Sequence, residues 1–217
     1  MDQPLSILIA DDHELVRDGL KLRLENHPGW KVCGEASDGH EAVKMATSLR
    51  PDVVVMDISM PGLNGIEATR QIRKAAPQAE ILILTMQKSD GLVREALAAG
   101  ARGFILKGDA TQLLIHAVEA LAEHRPYLTA QVSTIVLEGY LDPSERQADS
   151  EHNRLRPRER EILQLLAEAR TSKEVAVKLG VSAKTVDAHR ANIMRKLNVH
   201  SVAELVRYAI RNKIIEA

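Results

Sequence analysis

Val53-Val54-Val55-Met56-Asp57-Ile58-Ser59-Met60-Pro61-Gly62-Leu63-Asn64-Gly65 is the stretch around which the chain is organised. Four apolar residues in a row, three of them β-branched, read as a strand buried on both faces, as in a parallel sheet. The run stops at a carboxylate. Pro61 then removes a backbone donor, and Gly62 and Gly65 permit a turn that other residues resist. Asp57 is thereby predicted at the carboxyl end of a central strand, where open α/β sheets bind their ligands.

The flanking sequence repeats that pattern. Leu5 to Ala10 is apolar and ends in Asp11-Asp12, and Leu15, Val16, Leu20, Leu22 and Leu24 follow at broadly helical spacing. Trp30 to Ala36 reads as a strand and Glu41 to Leu49 as a helix. A helix around Ile66–Ala75 comes after the Asp57 strand, then a strand Ile81–Leu84 that ends at Thr85. Val93–Ala99 reads as helix, Gly103–Leu106 as a short strand ending at Lys107, and Ala110–Glu123 as helix. Five strand–helix units in about 120 residues predict a doubly wound, five-stranded parallel sheet.

In such a sheet the strand ends share one edge. Asp11, Asp12, Asp57, Thr85 and Lys107 should converge there. One acidic strand end is an ordinary turn residue, but five polar groups closing four strands in order are not. Three adjacent carboxylates repel one another unless a cation intervenes, and oxygen donors in this number suit Mg²⁺.

Composition divides the chain in two. Residues 152–217 carry 14 Lys and Arg against 7 Asp and Glu, a net of +7, while residues 1–151 carry the other 15 and 23, a net of −8. A basic tail behind an acidic front points to a polyanionic partner. Aromatic residues are only 2% of the chain, too few for a platform that stacks single strands, so duplex DNA is the expected partner. Cys33 is the only cysteine, which rules out an internal disulfide and fits a reducing, cytoplasmic location. No apolar run approaches a membrane span, and none at the N-terminus has the make-up of a signal peptide.

The predicted division is 1–124, a connecting segment 125–152 with one helix around Thr129–Tyr140, and 153–217. Asp142 to Glu151 is polar and reads as a flexible linker. The tail reads as four helices. Pro157 can open the first, and Ile162, Leu163, Leu165 and Leu166 face inward. Thr171–Leu179 is the second, closed by Gly180. Ser182 caps the third, which runs to about Leu197, and Ser201 caps the fourth, Val202–Ile210. Helix, Gly-containing turn and basic helix make a helix-turn-helix.

On the third helix Val186, Ile193 and Leu197 should be core. Lys184, Ala188, Ala191 and Arg195 share another face, which should enter the major groove with its two basic ends on phosphates. Together with Lys173, Ser182, Thr185, Asp187, Arg190 and Lys196 they form the predicted DNA-contacting set. His189 reads as a packed histidine, and nothing in the spacing of the histidines and the lone cysteine supports a zinc site.

Asp11-Asp12, Asp57 with Met60-Pro61-Gly62 and Gly65, Thr85, and Lys107 after Gly103-Phe104-Ile105-Leu106 resemble the receiver domain of two-component response regulators. Leu155–Leu163, Lys173-Glu174-Val175-Ala176, Leu179-Gly180-Val181-Ser182, Thr185-Val186, His189 and Lys196-Leu197 resemble the LuxR-type DNA-binding domain. Together the two halves resemble the NarL/FixJ class, which implies a flavodoxin-like receiver ahead of an all-α, four-helix helix-turn-helix domain. The resemblance implies that Asp57 accepts a phosphoryl group from a sensor histidine kinase. It places Mg²⁺ on Asp12, Asp57 and the backbone carbonyl of Ser59, with Asp11 assisting through water. Lys107 and Thr85 would meet the phosphoryl oxygens, and Phe104 would be the aromatic switch that follows Thr85. RNA polymerase as a partner is implied in the same way, while a tail too small to hold a long site alone predicts a homodimer on phosphorylation, with Val202, Leu205, Val206, Ala209 and Ile210 of the fourth helix either making the tail–tail contact or packing as core.

Three departures from the family pattern stand out. Arg156 occupies a place usually held by Thr or Ser, and Ala169 one usually held by Gly. Both predict a less sharply terminated first tail helix, at about 1 kcal/mol each. Asp187 stands where Lys is common. Either it pairs with Arg190, or it accepts a hydrogen bond from a cytosine amino group.

Three other readings are weaker. A phosphatase working through an aspartyl phosphate would carry a second acid at position 59, which is Ser. A degenerate receiver would lack some of the set at 11, 12, 57, 85 and 107. A factor gated by a small diffusible signal would need an apolar pocket where these strands end in charges.

Overall fold

The computed structural model describes residues 4–86, 89–141, 155–212 and 214–215. It divides into two compact units, 1–141 and 142–217. The stretch Asp142–Glu151, expected to be a linker, lies outside the described residues.

In the first unit, strands β1 (Leu5–Ala10), β2 (Trp30–Ala36), β3 (Val53–Asp57), β4 (Glu80–Thr85), β5 (Gly103–Leu106) and β6 (Tyr127–Leu128) form one sheet. Their order is β2-β1-β3-β4-β5-β6 and every pairing is parallel. Helices α1 (Glu14–Glu25), α2 (Gly39–Leu49), α3 (Gly65–Ala75), α4 (Asp90–Ala99) and α5 (Ala110–Ala122) cross between the first six strands, and α6 (Ala130–Leu141) follows β6. Alternation along the strands sends Leu8, Val54, Met56, Ile81, Ile83 and Phe104 into one core. It sends Ile7, Ile9, Val53, Val55, Leu82, Leu84 and Ile105 into the other, against Leu20 and Leu24 of α1 and Leu114 and Leu121 of α5.

Side-chain caps set several helix starts. Asp38 accepts from the Glu41 amide, Asn64 from the Glu67 amide and Ser89 from the Leu92 amide. The helices therefore begin one to three residues before the apolar periodicity becomes visible.

One expectation needs correction. The sheet has six strands, not five. Leu128 pairs with Phe104, and Val132 and Ile135 of α6 are buried in the same core, so the helix expected around Thr129–Tyr140 packs within the first compact unit, which runs to residue 141. A two-residue strand is too short to carry a periodic signal, and only the exposed edge of β5 gives it a partner. On α1, Leu20 and Leu24 are buried as the helical spacing requires, but Leu15 and Leu22 are 86% and 67% exposed. A single helix face cannot hold all five apolar residues.

The second unit holds α7 (Pro157–Ala167), α8 (Ser172–Leu179), α9 (Ala183–Leu197) and α10 (Val202–Arg211) around Leu155, Ile162, Leu163, Leu165, Leu166, Val175, Val186, Ile193 and Leu205. Thr171 and Glu174 cap α8 reciprocally, and Ser201 accepts from the Glu204 amide at the start of α10. Gly180 closes α8 at φ 65°. Leu205 and Ala209 of α10 belong to this core, while Val202 and Ile210 are exposed.

The start of α7 keeps half of a capping box. The Arg156 amide donates to Glu159 Oε2 at 2.8 Å, but the arginine side chain has no acceptor to return. The end of α7 is as sharp as a glycine would make it, because Ala169 itself adopts φ 61°. An alanine there is strained by about 1–2 kcal/mol. Ala169→Gly should raise stability by about 0.5–1 kcal/mol after the added freedom of the unfolded chain is subtracted, read as a higher midpoint in urea.

Candidate phosphoacceptor site and nucleic-acid interface

Strand register assembles the first site. Ala10 pairs with Met56, so Asp11 and Asp57 leave the sheet side by side. Asp57 pairs with Leu84, and Thr85 with Leu106, which brings Thr85 and Lys107 to the same edge. Asp11, Asp57 and Thr85 are all buried.

Lys107 links the two buried carboxylates. Its Nζ lies 2.7 Å from Asp11 Oδ2 and 3.0 Å from Asp57 Oδ2. The Ile58 amide donates to Asp57 Oδ1 at 2.8 Å, and the His13 amide donates to Asp11 Oδ1 at 2.9 Å. Asp12 is exposed and its Oδ1 lies 2.8 Å from His13 Nδ1. Arg17 donates to the Asp11 carbonyl at 2.7 Å. His13 and Arg17 were not anticipated. Their only signal is position, directly after the acidic pair and one helical turn further on.

The geometry favours keeping negative charge compensated. Burial pushes the Asp57 carboxyl above the ordinary carboxylate range, the Asp11 charge adds to this, and Lys107 works against it. Burial also works against the Lys107 ammonium, but its hydrogen bonds to Asp11 and Asp57 outweigh that, and its pKa is raised. With metal-free protein, Lys107→Ala should move the Asp57 titration midpoint further upward, because the one lowering charge is gone while burial and Asp11 remain. The carboxyl resonance followed by NMR against pH checks this.

Ligand atoms of Asp11, Asp12, His13 and Asp57 lie within 4.8 Å of one another. Three carboxylates, two of them buried and sharing a single ammonium, form the hard-oxygen set that a small divalent cation satisfies, so the residues fit Mg²⁺.

Gly65 determines how tightly the loop after Asp57 closes. Its amide donates to the Ile58 carbonyl at 2.9 Å, and a Cβ placed on it would lie 1.9 Å from the Asp57 carbonyl oxygen. Phe104 is fully buried, with its backbone paired to Leu128. Met86 is 73% exposed and lines a groove of about 640 Å³ with Leu15, Leu22, Leu84 and Lys107.

The second site lies on α9. Val186 and Ile193 are buried, Leu197 is partly so, and His189 is half-buried. Lys184, Asp187, Ala188, Ala191 and Arg195 are exposed together, as is Lys173 on α8. Ser182 and Thr185 are joined at the start of the helix, where Ser182 Oγ accepts from the Thr185 amide at 3.1 Å and lies 2.8 Å from Thr185 Oγ1. Lys196 stands apart from this face. Its ammonium reaches buried Glu159 of α7 at 2.5 Å. The Glu159 carboxyl lies below its usual range; burial opposes the shift, and the hydrogen bonds from Lys196 and the Arg156 amide overcome it. Asp187 makes two contacts, with Ser172 Oγ donating to its Oδ1 at 2.7 Å and Arg190 at 3.4 Å. The Ser172 partnership spans fifteen residues and has no local sequence signal.

A buried acidic cluster with an invading lysine at the carboxyl edge of a parallel sheet, joined to a helix-turn-helix unit, defines a response regulator, and the chain belongs to that family. Residues 7–119 match the response regulator receiver domain, and residues 153–209 match the luxR family of bacterial regulatory proteins. The chain is 38% identical over 217 residues to the oxygen regulatory protein NreC of Staphylococcus epidermidis, covering 98% of this chain and 100% of that one. It is 39% identical over 211 residues to the transcriptional regulatory protein LiaR of Bacillus subtilis, covering 97% and 99%. Among solved structures it resembles RcsB of Salmonella enterica serovar Typhimurium bound to promoter rprA in the presence of a phosphomimetic, at 29% identity and TM-score 0.62, over 94% of this chain and 98% of that one. The chain is thus a two-component transcriptional regulator with a receiver and a LuxR-type DNA-binding domain. Among the described residues no helix is long and apolar enough to cross a membrane.

Proposed function

We propose that Asp57 accepts a phosphoryl group from a sensor histidine kinase and that this switches the affinity of the second unit for duplex DNA. The observation that carries the reading is the convergence of Asp11, Asp57 and Lys107 within 3.0 Å contacts at one sheet edge. An Asp57 carboxylate oxygen attacks phosphorus as the bond from phosphorus to the histidine nitrogen breaks, and the kinase histidine leaves with the electron pair. Lys107 moves its charge from the carboxylates to the incoming equatorial oxygens, which a flexible point charge can follow. The Thr85 hydroxyl, buried on the adjacent strand, supplies a donor to one of them, and Phe104 responds to its displacement. Asp11, Asp12, Asp57 and the Ser59 carbonyl would hold Mg²⁺, which when bound neutralises charge on the transferring group. The only chemistry in this reading is the gain and loss of the chain's own phosphoryl group.

On the output side, α9 enters the major groove through Ala188 and Ala191, while Lys184, Arg195 and Lys173 meet phosphates. Ser182 and Thr185 fix the start of that helix. Lys196 acts chiefly as a clamp between α9 and α7. Two copies read paired half-sites, and the exposed Val202 and Ile210 of α10 supply the contact between them. RNA polymerase is the downstream partner, and the cytoplasm is the compartment that supplies kinase, DNA and polymerase together.

Sedimentation and duplex binding with and without beryllofluoride and Mg²⁺ test this reading, using DNA selected from a random pool. The treated protein should sediment as a dimer and bind the selected duplex at least about tenfold more tightly, a coupling of roughly 1.4 kcal/mol. Unchanged mass together with unchanged affinity would remove it.

A further inference from the structure

We infer that Ser172 and Asp187 form a polar brace that sets the angle of the DNA-reading helix, with Asp187 acting as a positioning residue and not as a base reader. This rests on the reading that α9 enters DNA.

An acid on this face needs a use. Asp187 lies between Lys184 and Ala188 on the exposed side of α9, where a carboxylate faces the phosphate lattice and repels it. The structure supplies the use. Ser172 Oγ donates to Asp187 Oδ1 at 2.7 Å, and the Arg190 guanidinium lies 3.4 Å from the same oxygen. One carboxylate oxygen therefore ties the first residue of α8 to the second turn of α9 and also holds the next basic side chain along α9.

The anchor is itself fixed. Ser172 follows Thr171, whose amide and hydroxyl both donate to Glu174 Oε2 at 2.7 and 2.8 Å. At the opposite end of α8, the Arg158 guanidinium donates to the Leu179 carbonyl at 2.8 Å. The apolar contacts of Val175, Ala176, Val186 and Ile193 hold α8 and α9 together, but such contacts are non-directional. The Ser172 hydrogen bond adds the direction, at the edge of the pair that faces DNA. Arg190 is held by the same oxygen at a fixed place on the helix, where it can meet a phosphate without searching rotamers.

The two roles make different demands. A base reader must present its carboxylate to one cytosine amino group, and its loss relaxes preference at one base pair. A brace acts on every duplex alike, and once Asp187 is removed Ser172 has no brace left to make.

The test uses the full chain treated with beryllofluoride and Mg²⁺, a selected duplex, and a panel of its single-base variants at fixed salt. Ser172→Ala changes no charge and should weaken binding to every duplex by the same factor, roughly threefold to tenfold. Ser172→Thr should restore it. Asp187→Asn keeps the acceptor for Ser172 and should keep the base preferences. In the cycle, adding Ser172→Ala to Asp187→Ala should change nothing further. An unchanged thermal midpoint for Ser172→Ala separates positioning from loss of fold. Preference relaxed at one base pair by Asp187→Ala overturns the inference, as does an affinity indifferent to Ser172→Ala or additive effects in the cycle. If the wild type binds no duplex, the reading of α9 falls and takes the brace with it.

Discussion

Asp57→Asn leaves the intact mass unchanged after incubation with acetyl phosphate and Mg²⁺, under conditions where the wild type gains a phosphoryl group. The rate should fall by roughly 10³-fold or more, the scale on which removing a nucleophile acts. Asn preserves the shape of the site: its carbonyl can still accept from the Ile58 amide, as Asp57 Oδ1 does at 2.8 Å. What it lacks is a nucleophilic oxygen, and its amide group would face Lys107, which keeps its 2.7 Å partner in Asp11. The substitution should not unfold the receiver. The Asp57 pKa is raised on folding, chiefly by burial, so its contribution to stability is present below the unfolded value and is lost as pH rises through the folded one. Above that raised value the carboxylate opposes folding, and the Asn variant, which cannot ionise, should melt no lower than the wild type. Persistence of the modification at the same yield would place the acceptor elsewhere, Asp11 and Asp12 being the neighbouring carboxylates.

Gly65→Ala should be the most damaging single methyl group in the receiver. The added Cβ would meet the Asp57 carbonyl oxygen at 1.9 Å, its carbonyl carbon at 2.8 Å and Ile58 Cα at 3.0 Å. All three are backbone atoms and cannot swing aside as a flexible side chain does. Either the start of α3 or the end of β3 must move, at a cost of about 3 kcal/mol. Because the atoms displaced belong to Asp57 and Ile58, phosphoryl uptake should fall together with stability. Gly19→Ala is the matched control. It lies inside α1 with nothing within 4 Å of the new Cβ, and it should stabilise by about 0.5–1 kcal/mol. Urea unfolding of the two variants beside the wild type checks the contrast. Equal midpoints would show that α3 tolerates the shift and that the close approach does not constrain the site.

Lys196 shows how a correct pattern can leave a side chain's partner open. Its place near the end of a basic helix fits a phosphate contact, and the exposed Arg195 beside it fits the same description. Helical rotation turns one outward and the other toward Glu159 of α7.

The five-unit alternation, the buried character of β3 and the order of polar strand ends were all legible in the sequence. Each follows from local chemistry: β-branched runs, turn residues, and the rule that parallel strands end on one edge. The helix-turn-helix pattern was legible for the same reason, since its caps and glycine act within a few residues. Only the tertiary structure decided which leucines of α1 lie outside, because five apolar residues exceed one helix face. It alone attached β6 and α6 to the receiver, because their partners are Phe104 and the adjoining core and not their sequence neighbours. It also gave Asp187 its partner fifteen residues away, a contact set by how two helices cross.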